Sequence, residues 1–303
     1  MPLAQNNEMK IIIYALGFKA FKAISDLEVN LINQIDLLVI AKDKSIEYDY
    51  SRELEEFAIK NGIAYTFKKQ ESKNFSALYH IAIGWRWLIK VNDLEQLLII
   101  HDSLLPKYRG FNPLVTALIN GDKEVGATLL FGAESYDKGN IVFQSKVQLH
   151  YPIKIDNAIR LISDIYSILL NDLLINICES RSLPSHAQNE SIVSYSLWRD
   201  EEDYFINWNE DSAYIKRFID SVGFPYKGAS CFYEKKLIRI QEASIVPDLN
   251  ISNRVAGKAI MKEDNSPIIV CGSGLIRIDK AKYENGEKVI FKNFRIRLKN
   301  DPL

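Results

Sequence analysis

The sequence predicts an α/β protein: a mostly parallel sheet in the first part of the chain and a smaller, β-rich second unit. Three observations predict it. Short continuous apolar runs alternate with helical patterns between residues 10 and 101, which is how βαβ units with strands buried on both faces read. Ile, Leu and Tyr then recur at helical spacing from Ile155 to Ile177, giving a long, largely buried helix. After residue 204 the apolar runs shorten, and Gly and Asn separate them, as in a small barrel or sandwich.

The elements follow in order. Lys10 to Leu16 (KIIIYAL) is a strand, Gly17-Phe18 a turn, and Lys19 to Leu27 a helix. Asp36 to Ala41 (DLLVIA) is a second strand; Ser51 to Asn61 is a charged amphipathic helix stopped by Asn61-Gly62. Ile63 to Phe67, His80 to Ile83 and Leu97 to Ile100 are further strands. Pro113 to Asn120 is a short helix, with Pro in its first turn and Asn120-Gly121 closing it. Gly126 to Phe131 and Ile141 to Leu149 alternate like strands around a polar loop, Gly132 to Asn140 (GAESYDKGN). Residues 179–203 are rich in Ser, Pro, His, Gln and Asn and read as a linker between domains 1–178 and 204–303. In the second unit Ser230 to Tyr233, Leu237 to Ala243, Val255 to Met261, Pro267 to Cys271 and Leu275 to Asp279 are the predicted strands.

Composition narrows the classes of function. With 303 residues the chain is comfortable for two domains, and its 47% apolar and 25% charged residues are ordinary for globular proteins. A formal net charge of -1 argues against nucleic acid as a partner held by phosphate neutralisation. Cys178, Cys231 and Cys271 lie far apart with no CxxC spacing. They read as reduced thiols of a cytoplasmic protein, and no metal-ligating constellation is visible. Met1 to Met9 is too polar for a signal peptide, and the apolar runs are too short to predict membrane insertion.

The stretch "HDSLLPKYRG" (101–110) stands out. One of four histidines follows directly on the apolar run Leu97-Leu98-Ile99-Ile100, and a stiff, cationic turn comes after it. In parallel sheets ligands bind beyond the carboxyl ends of the strands, and His101 is placed at such an end. On its own, this turn has a plain structural reading: Pro106 and Gly110 shape it, and Arg109 makes a surface ion pair.

With Pro113, "NGDKEVGATLL" (120–130) and "SYDKGNI" (135–141), the order of motifs resembles the formyltransferase family. That family includes methionyl-tRNA formyltransferase and the sugar N-formyltransferases of bacterial surface-polysaccharide (O-antigen, lipopolysaccharide) synthesis. A weaker similarity runs through "INWNEDSAYIKRFIDSVGFPYKGAS" (206–230) and "IIVCGSGLIRI" (268–278). The resemblance implies a Rossmann-like catalytic domain, a small C-terminal β-barrel domain and 10-formyltetrahydrofolate as one-carbon donor, with no metal. In the family an Asn-x-His pair ends one strand, and an Asp before a Gly lies on a following loop. Carried over, the His is His101 and the Asp is Asp137; the Asn position holds Ile99.

Formyl transfer requires a neutral amine to attack a formyl carbon and lose a proton. An imidazole such as His101 suits the proton's removal, and Asp137 is expected to orient the ring and stabilise its charged form. The developing oxyanion needs a donor, which Ile99 cannot be; protonated His101, a backbone N–H or the Asn140 amide are the candidates. The resemblance places Gly84, Trp85 and Arg86 of "IAIGWRWLI" (81–89), with Ser103, Leu104 and Tyr136, at the folate donor site; Trp85 and Trp87 also read as plain core. In "GFPYKGAS", Phe224 and Tyr226 offer faces for a nucleobase and Lys227 a charge for a phosphate, or else the stretch is a turn with partly buried aromatics.

The favoured acceptor is the amine of a nucleotide-linked aminosugar, such as a dTDP-4-amino-4,6-dideoxysugar, in a cytoplasmic homodimer. The alternatives are a degenerate member that binds nucleotide sugar or folate without transfer, because of Ile99, and a methionyl-tRNA formyltransferase. An enzyme of this fold using a different acyl donor is a further one.

Overall fold

β1 (Met9–Ala15) is an interior strand of the first sheet, and its apolar run is the reason: Ile11, Ile12 and Ile13 have no exposed surface at all. The structure, a computed structural model, describes residues 9–68 and 75–301. Along the chain follow α1 (Gly17–Ser25), α2 (Val29–Ile32), β2 (Leu37–Ile40), α3 (Ser51–Asn61), β3 (Ala64–Phe67), β4 (Ala77–Ile83), β5 (Gln96–His101), β6 (Arg109–Gly110), α4 (Pro113–Asn120), β7 (Glu124–Phe131), β8 (Ile141–Gln148) and α5 (Ile155–Cys178). The seven-stranded sheet has the order β3-β2-β1-β4-β5-β7-β8. Strands β1 to β5 pair in parallel, while β7 and β8 pair antiparallel at one edge.

Both faces of this sheet are covered, by different means. On one face α1, α4 and α5 pack over Ile11, Ile13, Leu38, Ile81 and Leu98. On the other, Ile12, Tyr14, Leu37, Val39 and Ala77 lie under Phe75, Trp85 and Ile89 from the turns that flank β4. Gly62 and Gly121 end α3 and α4 with left-handed φ of 69° and 76°, the conformation that glycine adopts without strain. Pro113 opens α4, where its missing N–H costs nothing. α5 is long and apolar enough to cross a membrane by length and composition. Within the fold, Ile162, Leu170, Leu173 and Leu174 on it are wholly buried, each worth roughly 1.5–3 kcal/mol of transfer free energy.

The segment expected as a linker is pinned to the first unit. His186 exchanges both backbone hydrogen bonds with Ile141 at 2.8 and 3.0 Å, a 3₁₀ turn covers Glu190–Ile192, and β9 (Tyr195–Ser196) pairs in parallel with β6. The second unit then opens with a helix, α6 (Ser212–Ser221), where the sequence reading had only strands. Its signals are local. Asp211 accepts the Tyr214 N–H at 2.9 Å as an N-cap, and Ile215, Phe218 and Ile219 fall on one buried stripe. That stripe packs against α4 and the second unit's sheet.

The second sheet has five antiparallel strands: β10 (Ala229–Tyr233), β11 (Lys236–Val246), β12 (Ala259–Glu263), β13 (Ser266–Val270) and β14 (Leu275–Tyr283), in the order β10-β11-β14-β13-β12. β12 starts later than expected, because residues 255–258 form a turn around Gly257 (φ 82°). The tail joins the two edges of this sheet: Lys299 bridges Phe232 of β10, and Arg297 bridges Lys258 beside β12. A curled sheet closed by its own tail is how this unit becomes a small barrel.

Candidate active site

The strand order reverses between β1 and β4, and the ends of those two strands diverge there. Open α/β sheets bind ligands at such a switch point. A cleft of about 270 Å³ lies at this position. Gly84 turns the chain away from β4 with φ 64°, and a Cβ there would stand 2.5 Å from the Leu16 carbonyl oxygen. Glycine is therefore what lets the two strand ends part while Leu16 still donates to Ile83 O at 3.1 Å.

β5 ends on His101, which is 8% exposed and faces the cleft. Its Nε2 lies 3.0 Å from the backbone carbonyl of Tyr108. A carbonyl only accepts, so Nε2 carries the hydrogen, and the lone pair of the neutral ring sits on Nδ1. Nδ1 is 3.5 Å from Asp137 Oδ1. The other oxygen, Asp137 Oδ2, accepts the Gly110 N–H at 2.8 Å. The ring's tautomer is thus fixed by Tyr108, where the sequence reading gave that role to Asp137. Asp137 instead stands where a positive charge appears once Nδ1 takes a proton. Both Tyr108 (φ 60°) and Asp137 (φ 55°) hold left-handed backbone conformations, which cost non-glycine residues energy and concentrate at functional sites.

A second charged group lines the cleft beside His101, and the sequence reading missed it. The Asp102 carboxylate is ion-paired with Lys19 and accepts the Tyr166 hydroxyl, which also reaches the Ile100 carbonyl at 3.0 Å. Burial pushes the Asp102 carboxyl up; the Lys19 charge, with hydrogen bonds from Lys19 and Tyr166, overcomes that and holds it below the usual carboxylate range. Only Asp102 carried a sequence signal, its place next to His101. Lys19 and Tyr166 lie 83 and 64 residues away along the chain.

The other expected residues divide. Gly84, Trp85, Arg86, Tyr136, Phe224 and Tyr226 all line the cleft. Trp85 is also core, packing on Tyr14 and Trp87 with ring centroids 5.1 and 5.0 Å apart. Arg86 is held by Asp43 at 2.7 Å. Phe224 and Tyr226 come from the second unit, and their turn is tied to the first by a Glu47 N–H donated to Pro225 O at 2.9 Å. Ser103, Leu104 and Lys227 are not brought to the cleft. The Ser103 hydroxyl donates to Lys107 O at 2.7 Å, and with Leu104 it borders a separate depression on the other side of the 102–110 turn. Lys227 pairs with Glu201 at 2.6 Å. Asn140 donates to Ser185 Oγ at 2.8 Å and does not line the cleft.

Ile99 does line it, and so do Asn112, Leu114 and Val115 at the start of α4. No side chain caps this helix, so its first N–H groups lack helical partners and carry positive potential. Among the described residues no three His, Cys, Asp or Glu side chains gather as a metal site.

Two family models match the chain. The formyl transferase model covers residues 75–157, and the model of the formyl transferase C-terminal domain covers residues 199–297; together they take up more than half of the sequence. The chain belongs to the formyl transferase family. The first of these matches contains His101, Ile99 and Asp137, and the second contains α6 and the five-stranded sheet.

Among formyl transferase relatives, methionyl-tRNA formyltransferase of Caldanaerobacter subterraneus is 25% identical over 197 residues, and that of Carboxydothermus hydrogenoformans is 29% identical over 196. The aligned stretches take in 65% and 64% of this chain, and 62% of each relative's own length. Two solved structures share the fold over nearly their whole length. WlaRD, a sugar 3N-formyltransferase in the presence of dTDP and 5-N-formyl-THF, superposes with a TM-score of 0.63 at 21% identity, covering 92% of this chain and 99% of its own. The N-formyltransferase of Helicobacter canadensis, in complex with folinic acid and dTDP-3-aminofucose, gives 0.60 at 17% identity, covering 93% and 100%.

Proposed function

We propose that this member of the family transfers a formyl group from 10-formyltetrahydrofolate to the amine of a nucleotide-linked aminosugar. The observation that carries the reading is His101. It is an imidazole at the switch-point cleft, tethered through Nε2 to Tyr108 O, with Nδ1 facing the Asp137 carboxylate at 3.5 Å.

In the reaction the amine nitrogen attacks the formyl carbon, and a new C–N bond forms as the carbonyl oxygen takes up negative charge. The amine proton passes to His101 Nδ1. Asp137 then faces an imidazolium and stabilises it. Collapse of the tetrahedral centre breaks the bond to the folate nitrogen, which takes the proton back from the ring. The oxygen's charge falls to donors other than residue 99, whose sec-butyl side chain has none. The Asn112 carboxamide and the Leu114 and Val115 N–H groups at the head of α4 are the groups on the cleft wall suited to it.

For the donor, the reading assigns Gly84, Trp85, Arg86 and Tyr136. For the acceptor it assigns Phe224 and Tyr226 as stacking faces at the rim; Lys227, engaged by Glu201, is withdrawn from the phosphate role. The aminosugar is favoured over methionyl-tRNA by two observations. The cleft of about 270 Å³ suits a small ligand, and on superposition the two sugar enzymes cover 92% and 93% of this chain, where the methionyl-tRNA formyltransferase of Clostridium thermocellum covers 69% of it. Ile99 favours a second reading, a member that binds without transferring.

Turnover by the wild-type chain with an aminosugar nucleotide separates these readings, and His101→Ala then tests the residue. Against a wild-type chain with measurable turnover, the account expects kcat to fall about 100- to 10,000-fold, with the thermal midpoint kept within a few degrees. A variant that formylates at near wild-type rate would remove His101 from the mechanism.

A further inference from the structure

The three residues 108–110 hold the two candidate catalytic groups from opposite ends. The Tyr108 carbonyl fixes His101, and the Gly110 N–H fixes Asp137. Between them the Arg109 side chain is buried, at 1% exposure, and points away from the cleft. It meets the segment that the composition had marked as a linker. Arg109 Nε and Nη2 donate to Gln188 Oε1 at 3.1 and 2.8 Å, and its guanidinium also pairs with Glu190 at 2.7 Å.

Gln188 does more than receive Arg109. Its Nε2 donates to the backbone carbonyls of Asp137 and Gly139, at 2.7 and 2.8 Å. A primary amide has two N–H donors and one oxygen with two lone pairs. Here both donors go to the Asp137 loop and both lone pairs to Arg109, so no bonding capacity is left for another partner. Ser194 of the same segment completes the hold on the turn: its Oγ accepts the Tyr108 N–H, and its carbonyl accepts the Arg109 N–H, both at 2.9 Å.

We propose that Gln188 is a positioning residue: its amide cross-links the turn that orients His101 to the loop that carries Asp137, and so sets the distance between the two groups. The proposal rests on the reading that His101 and Asp137 act together in formyl transfer. The physical reason for such a device is that both groups sit on irregular backbone. β5 and β7 fix the roots of the two loops, but neither fixes the tips. A misplacement of about 1 Å in a catalytic group can cost on the order of 100-fold in rate.

Gln188→Met keeps the length and removes all four hydrogen bonds. Asn189→Ala, next to it, removes only the local cap on Ser191 (3.0 Å) and serves as the control for general loosening of the segment. Two readouts are taken on the full chain. The first is hydrogen exchange of the Gly110 amide, which is bonded to Asp137 and needs no turnover to measure. The second is steady-state kinetics with 10-formyltetrahydrofolate and an aminosugar nucleotide. The expected result is faster Gly110 exchange in Gln188→Met, with kcat lowered about 10- to 100-fold and both KM values within about twofold of wild type, while Asn189→Ala stays near wild type in both. Unchanged Gly110 exchange, an unchanged kcat in an active background, or an equal loss in Asn189→Ala would each overturn the proposal. A wild-type chain that gives no product sinks the formyl-transfer reading instead, and the exchange comparison alone then decides whether Gln188 clamps the two loops.

Discussion

His101 owes each of its properties to a different neighbour. Tyr108 O decides which nitrogen holds the hydrogen, Asp137 supplies the charge opposite the other nitrogen, and the Lys19–Asp102–Tyr166 cluster anchors the strand end beside it. The cluster has a measurable signature. A carboxylate whose folded pKa is depressed stabilises the fold above its unfolded value, here 3.8, and loses that contribution as the pH falls through the lower folded value. Asp102→Asn strips the partly buried Lys19 ammonium of its partner, which costs on the order of 1–3 kcal/mol. Thermal melts across pH are expected to show this deficit in full at pH 7 and narrowing below about pH 4. A deficit independent of pH would contradict the role given to Asp102. At this scale the sequence marks His101 by its place at a strand end, and Asp137 only through the resemblance to the formyltransferase motifs. It is silent on Lys19 and Tyr166, which nothing local distinguishes from an exposed helix lysine and a core tyrosine.

Among the elements, those built by hydrophobic burial were legible and those built by a few polar pairings were not. The runs KIIIYAL and DLLVIA are short, β-rich and apolar throughout, as strands buried on two faces read, and they are strands. β6 and β9 are two residues each, and only their pairing with one another defines them; the polar segment that carries β9 therefore reads as a linker. α6 was overlooked although its N-cap and apolar stripe were present, because the surrounding Gly- and Asn-punctuated runs dominate that region. The Asp137 loop depends on a close approach no composition reveals. A Cβ on Gly139 would lie 1.7 Å from the Phe131 carbonyl oxygen, where β7 ends. Gly139→Ala must therefore shift the loop or break the turn. The expected outcome is a drop of several degrees in thermal midpoint together with a fall in kcat of at least about tenfold, as Asp137 leaves its place beside Nδ1. Full activity in this variant would show that the position of Asp137 matters little.

Across the whole molecule, the site belongs to both units. The switch point of the first sheet supplies the cleft and His101, and the second unit lends Phe224 and Tyr226 through the turn anchored to Glu47. Fold class and family were readable from the pattern of runs and from the ungapped stretch around His101, since those follow from burial and from local motifs. The acceptor was not, because it is set by which rim residues two separate units bring together. The most direct measurement is product formation: the purified chain with 10-formyltetrahydrofolate and a panel of dTDP- and UDP-linked aminosugars, with methionyl-tRNA as a parallel acceptor, read by mass spectrometry. The account predicts a formyl adduct on the amine of at least one nucleotide sugar, none on methionyl-tRNA, and none with His101→Ala. Formylation of methionyl-tRNA alone would contradict the assigned acceptor, and no adduct on any acceptor, with sugar nucleotide still bound, would contradict transfer itself.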